Sequence, residues 1–108
     1  FPDVVLSNEI KDDGWWFRPQ ETEDQWIART RRVAEQLKSR GGSDDRIVIV
    51  THGGFTKDLL SELLNGGPIE GGSFSTCNTA IGHLVFGHDS FHLTYLNRVA
   101  HLPPKWVT

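Results

Sequence analysis

Histidine is the side chain whose unperturbed charge changes near neutral pH, and this chain carries five. His52 is singled out by its setting, Val50-Thr51-His52-Gly53-Gly54-Phe55. The β-branched run Ile47-Val48-Ile49-Val50-Thr51 reads as a strand buried on both faces. Phe55, Leu59, Leu60, Leu63 and Leu64 give the following segment the apolar stripe of a helix. A strand that ends in a Gly-rich turn and opens a helix presents backbone N–H groups at its carboxyl end, where open α/β sheets bind ligands. The helix N-terminus favours an anion, phosphate above all. A histidine there can bond a phosphoryl oxygen or act as acid or base. A tight turn whose histidine bonds only the backbone fits the same residues. Neither a Gly-x-x-x-x-Gly-Lys-Ser/Thr loop nor a Gly-x-Gly-x-x-Gly fingerprint is present.

The remaining candidates are less specific. His83 and His92 fall diagonally on one face of an expected hairpin, within about 8 Å, a distance at which two histidines can share a metal. Cys77 and His88 extend that set, but no Cys-x-x-Cys, no His-Glu-x-x-His and no suitably spaced carboxylate completes a site. The expectation is therefore no metal, with these histidines solvated at the surface. Arg18, Arg29, Arg31 and Arg32 are cations that could reach a phosphate. Arg31 and Arg32 read as a solvated helix face with Glu35, whereas Arg29 lies nearer the apolar boundary. Glu9, Glu21 and Asp24 are carboxylates beside the aromatic cluster Trp15, Trp16 and Phe17, which can stack a ligand or pack beneath a loop.

These residues need elements to position them. Thr22 with Gln25 three residues on matches a capping box. Trp26, Ile27, Thr30, Val33, Ala34 and Leu37 then recur at helical spacing, and Gly41-Gly42 closes the helix. The His52 helix stops at Asn65-Gly66-Gly67-Pro68, and a Gly- and Ser-rich loop follows to Cys77. Residues 79–86 and 91–96 read as a hairpin around Gly87-His88-Asp89-Ser90. If Phe86 pairs with Phe91, one face carries Ala80, Leu84, Phe86, Phe91, Leu93 and Tyr95, and that face is the expected core. Val4, Val5 and Leu6 could form a short strand; otherwise residues 1–21 read as irregular.

Composition bounds the possibilities. The chain has 108 residues, 23% charged and 37% apolar, with a mean hydropathy of −0.37, which suits one globular domain and one core. A net charge of −3 argues against general nucleic-acid binding, which needs a basic excess. One cysteine forms no internal disulfide and suits a reducing, cytoplasmic compartment. No apolar run reaches the length of a membrane span. There is no methionine, and the sequence opens on Phe1, which suggests a piece of a longer protein. A buried strand such as 47–51 also needs a neighbour on each edge, and the hairpin supplies one at most. The expected fold is therefore part of a larger α/β sheet.

Four stretches, in order, resemble the C-terminal part of the histidine phosphatase superfamily, the phosphoglycerate-mutase-like proteins. They are the helix ending in Val33-Ala34-Glu35-Gln36-Leu37; Arg46 to Gly54, similar to a V-x-H-G-G strand and turn; Asn78-Thr79-Ala80-Ile81, similar to N-T-A/S-I; and Tyr95 to Leu102, similar to an L-N-x-x-x-H-L ending. Arg18-Pro19-Gln20-Glu21 resembles an R-P-x-E stretch ahead of the same helix. The resemblance implies a partial three-layer α/β/α sandwich, mostly parallel, with a C-terminal hairpin. On this reading residues 1–108 are the C-terminal part of a single domain, with 1–21 irregular and 22–104 the core.

The resemblance also implies chemistry. A histidine in an Arg-His-Gly motif attacks a phosphoryl group and becomes phosphohistidine, without metal or other cofactor. His52 matches the second histidine of that pocket, whose role is to stabilise the transferring charge. Backbone around Gly53 and Asn78 borders the pocket, and Arg29 is a candidate phosphate contact. Glu9, ahead of Gly14-Trp15, is the candidate proton donor. None of the five histidines follows an Arg and precedes a Gly, so the nucleophile and its strand are missing and the chain alone should be inactive. Expected partners are a phosphorylated small molecule or phosphoprotein, and either the missing N-terminal half or a second chain covering the sheet edge, a homodimer included. No nucleic acid or membrane partner is expected. A non-catalytic phosphate-binding or interaction module is the competing reading.

Overall fold

The computed structural model describes residues 19–108. Glu9, Arg18, the aromatic cluster 15–17 and the short strand expected at residues 4–6 lie outside the described residues.

Helix α1 spans Glu23–Ser39 and starts where its capping box predicts. The Thr22 hydroxyl accepts from the Gln25 N–H (3.3 Å), and the Gln25 side chain accepts from the Thr22 N–H (3.0 Å). Glu23 and Asp24 in the first turn and Lys38 in the last suit the helix dipole. Helix α2 spans Gly53–Asn65 and ends on Gly66, whose φ of 70° is left-handed and free of steric cost only for glycine.

The two helices pack through Ala34 on α1 and Phe55, Leu59 and Leu63 on α2. Trp26, Val33 and Leu37 close the sides of this core. Two polar groups are buried with it and both are satisfied: Thr30 Oγ1 donates to the Trp26 carbonyl and Ser61 Oγ to the Lys57 carbonyl, each at 2.9 Å.

Strands β1 (Ile81–Phe86) and β2 (Phe91–Arg98) form an antiparallel hairpin with the expected Phe86–Phe91 pair. Leu84, Phe86 and Phe91 pack onto the helical core, as the alternation requires. Beyond Leu84–Leu93 the register slips, so His83 pairs with Tyr95 and Ile81 with Arg98. Tyr95 therefore leaves the face assigned to it by strict alternation and stacks on His83, ring centroids 5.4 Å apart. A short 3-10 turn, Pro104–Trp106, follows.

The two helices and the hairpin make a small α/β unit, but the described residues do not form the expected mostly parallel sheet. Among the described residues the hairpin is the whole sheet, with order β1-β2. Residues 47–51 form no strand, and Val48 and Val50 are 87% and 94% exposed. A parallel strand exists only through its neighbours, and the hairpin satisfies its own ladder without adopting this segment. Ile47 and Ile49 lean instead toward Val33 and Leu37, across a groove of about 400 Å³. Among the described residues, no helix is long and apolar enough to cross a membrane.

Candidate functional site

His52 is the N-cap of α2, with extended backbone (φ −91°, ψ 154°), and it is exposed. Its carbonyl accepts from both the N–H (3.0 Å) and the hydroxyl (3.2 Å) of Thr56. Its imidazole makes no capping bond, and the first turn carries no acidic residue. The N–H groups of Gly53, Gly54 and Phe55 have no acceptor within the helix by construction. An uncapped helix start, free of carboxylates and led by a histidine, has donors and a favourable dipole for an anion.

The Gly-rich loop closes on this end of α2. A Cβ added at Gly53 would lie 3.4 Å from the Thr76 hydroxyl oxygen, an ordinary van der Waals distance, which places Thr76 beside the first residue of α2. Thr76 carried no sequence signal, because its place beside Gly53 comes from packing between segments more than twenty residues apart.

Asn78 stands two residues further on. Its N–H donates to the Thr108 carbonyl (2.9 Å) and its Nδ2 to the Thr108 hydroxyl (2.8 Å), so both donor groups serve the C-terminal tail. The next residue, Thr79, has φ of 56°, an uncommon left-handed conformation for a β-branched side chain. The turn that holds it is closed by the Ala80 N–H donating to the Cys77 carbonyl (3.2 Å), while the Cys77 N–H donates to Asn97 Oδ1 (2.7 Å).

Arg29 reaches the same end of α2 from the other helix. Its guanidinium lies 4.5 Å from the Phe55 ring centroid and 4.8 Å from that of Trp26. Its Nε and Nη2 donate to the two carboxylate oxygens of Glu21, at 2.9 and 2.7 Å. That bidentate bond holds the Glu21 carboxyl below the ordinary carboxylate range and raises Arg29 in turn. The structure thus gathers His52, Gly53, Thr76 and the Arg29–Phe55 contact about the start of α2. Glu9 lies outside the described residues.

His83 and His92 are both exposed, and His83 stacks on Tyr95. Among the described residues, no group of three His, Cys, Asp or Glu side chains is placed to hold a metal ion.

The family model of the histidine phosphatase superfamily (branch 1) matches residues 2–99 of the 108. No curated protein and no solved structure matches the chain at a significant level.

Proposed function

The chain belongs to the histidine phosphatase superfamily (branch 1), and from that premise we propose that it is the His52-bearing C-terminal portion of a phosphohydrolase or phosphomutase. Membership supports a function of phosphatase or mutase type. The finer reading is transfer through a phosphohistidine intermediate, on small phosphorylated metabolites or phosphoproteins. The observation that carries it is His52 itself, exposed at an uncapped α2 N-terminus with no acidic residue in the first turn.

In this mechanism a histidine from an Arg-His-Gly segment attacks phosphorus. The P–N bond forms as the bond to the leaving oxygen breaks, and a carboxylic acid protonates that oxygen; Glu9 is the candidate donor. Water then hydrolyses the phosphohistidine, or a second substrate takes up the phosphoryl group. His52 and the amides of Gly53 and Gly54 face the oxygens on which negative charge is spread, where preorganised donors act most strongly. These 108 residues contain no Arg-His-Gly, so catalysis requires a nucleophile from elsewhere.

The test has two arms. A phosphatase assay on the chain alone should give no turnover, and robust activity would defeat the missing-nucleophile argument. In the longer parent protein, His52→Ala should lower kcat by on the order of 10²-fold or more. An unchanged rate would mean that His52 does not contact the reacting phosphoryl group. The exposure of Val48 and Val50 favours a second reading, a non-catalytic phosphate-binding or interaction module. Phosphate binding by the parent without turnover would select it.

A further inference from the structure

As a cation near the start of α2, Arg29 has the chemistry of a phosphate contact, but its surroundings give it different work. The edge of a guanidinium that matches a carboxylate or phosphate is its Nε–Nη2 fork, and here both atoms bond Glu21. The rest of the group packs on Trp26 and Phe55. Those two rings meet edge to face, centroids 5.7 Å apart, and the Trp26 indole N–H donates to Asp58 Oδ2 at 2.8 Å. Three of these contacts, Arg29–Phe55, Trp26–Phe55 and Trp26–Asp58, join the N-terminal end of α1 to the first two turns of α2, while Glu21 holds Arg29 from the α1 side. Phe55 is the third residue of α2, directly after the His52-Gly53-Gly54 segment.

We propose that Arg29 is a positioning residue: locked by Glu21 and packed on Trp26 and Phe55, it fixes the approach of the α2 N-terminus, and with it His52 and the Gly53 and Gly54 amides, without itself binding the phosphoryl group. This rests on the reading of His52 as a phosphoryl contact. Glu21 is then part of the device, because an unpartnered arginine at position 29 is not held in place over Phe55, and a lysine lacks the planar fork that Glu21 grips.

The test is a double-substitution cycle on the full chain, read by NMR, with far-UV circular dichroism as the check on folding. In the ligand-free protein, Arg29→Ala and Glu21→Ala should move the same resonances, the amides of Gly53, Gly54 and Phe55 and the His52 imidazole. The double variant should move them no further than Arg29→Ala does. Arg29→Lys should not restore them. Resonances of the α2 N-terminus that stay in place in a folded Arg29→Ala protein would overturn the proposal. Should Arg29→Ala unfold, Glu21→Gln leaves both rings packed and decides the matter by the same resonances.

Titration with inorganic phosphate, followed at His52, is the second arm. A positioning role predicts binding weakened several-fold in Arg29→Ala and Glu21→Ala alike. Tighter binding in Glu21→Ala would mean that the freed guanidinium is itself a ligand, and would overturn the proposal. If the unsubstituted chain shows no response to phosphate at His52, the reading of the site falls, while the ligand-free resonances still decide the role of Arg29.

Discussion

Glu21 and Arg29 show how a residue pair can be read by type while its partnership stays out of view. The sequence supplies a carboxylate and a cation eight positions apart, and only the start of α1 brings them into a bidentate bond. The bond depresses the Glu21 carboxyl, so the sign of its pH dependence is settled. A carboxyl with a lowered folded value adds stability that is present above its unfolded value and is lost as the pH falls through the folded one. Glu21→Gln should therefore be less stable than the unsubstituted chain at neutral pH, and the gap should close in acid, below the ordinary glutamate range. Denaturant titrations of both proteins across that range check it. Added salt should narrow the gap at neutral pH, because both side chains are about a third exposed.

Asn78 makes a related point. The resemblance sets it beside the phosphate, and its donor groups are turned to Thr108. The Asn side chain offers donors and an acceptor in fixed places, so which of them faces an anion depends on neighbours thirty residues away.

At the scale of elements, the helices and the hairpin turn follow local rules. The capping box, the 3.6-residue apolar stripe and the glycine stop at Gly66 each act within a few residues, and each fell where the sequence indicated except at Ile27 and Leu64, which were assigned to the stripes and are exposed at their edges. The joint between α1 and the hairpin does not follow from local rules. A Cβ on Gly41 would run into the Gly87 carbonyl oxygen, so the end of α1 and the hairpin turn meet backbone to backbone. Gly41→Ala should force the two apart and destabilise the chain by about 1–3 kcal/mol, the usual range for overpacking. Thermal unfolding of the variant measures this, and a melting temperature at or above that of the unsubstituted chain would show that the joint is soft. The register slip in the hairpin is likewise invisible to a strict alternation, because an extra residue in one strand preserves the local pattern on either side of it.

At the scale of the whole molecule, the described residues leave large apolar side chains uncovered. Residues 47–50 account for a conspicuous share of the apolar exposure, and no strand pairs with them among the described residues. An extended, unpaired apolar segment is a site of association. The chain should therefore self-associate at micromolar concentration in sedimentation velocity runs, and Val48→Lys with Val50→Lys should shift it toward monomer without loss of helical circular dichroism. A concentration-independent monomer in the unsubstituted chain would remove this expectation.

Sequence alone determined the two helices, their caps and ends, the hairpin turn with Leu84, Phe86 and Phe91 on its inner face, and His52 at the head of α2. Each depends on contacts within one turn of helix or across one tight loop, and the order of four short motifs was enough to point to the superfamily that the family model matches. Tertiary structure alone decided that residues 47–51 find no strand partner among the described residues, that Thr76 lies beside Gly53, that Asn78 holds Thr108, and that Arg29 is bound by Glu21 against Trp26 and Phe55. The physical reason is range. A strand buried in a parallel sheet is stabilised by neighbours distant in sequence, and a charged side chain takes its role from whichever partner the packing of two helices brings within hydrogen-bond reach.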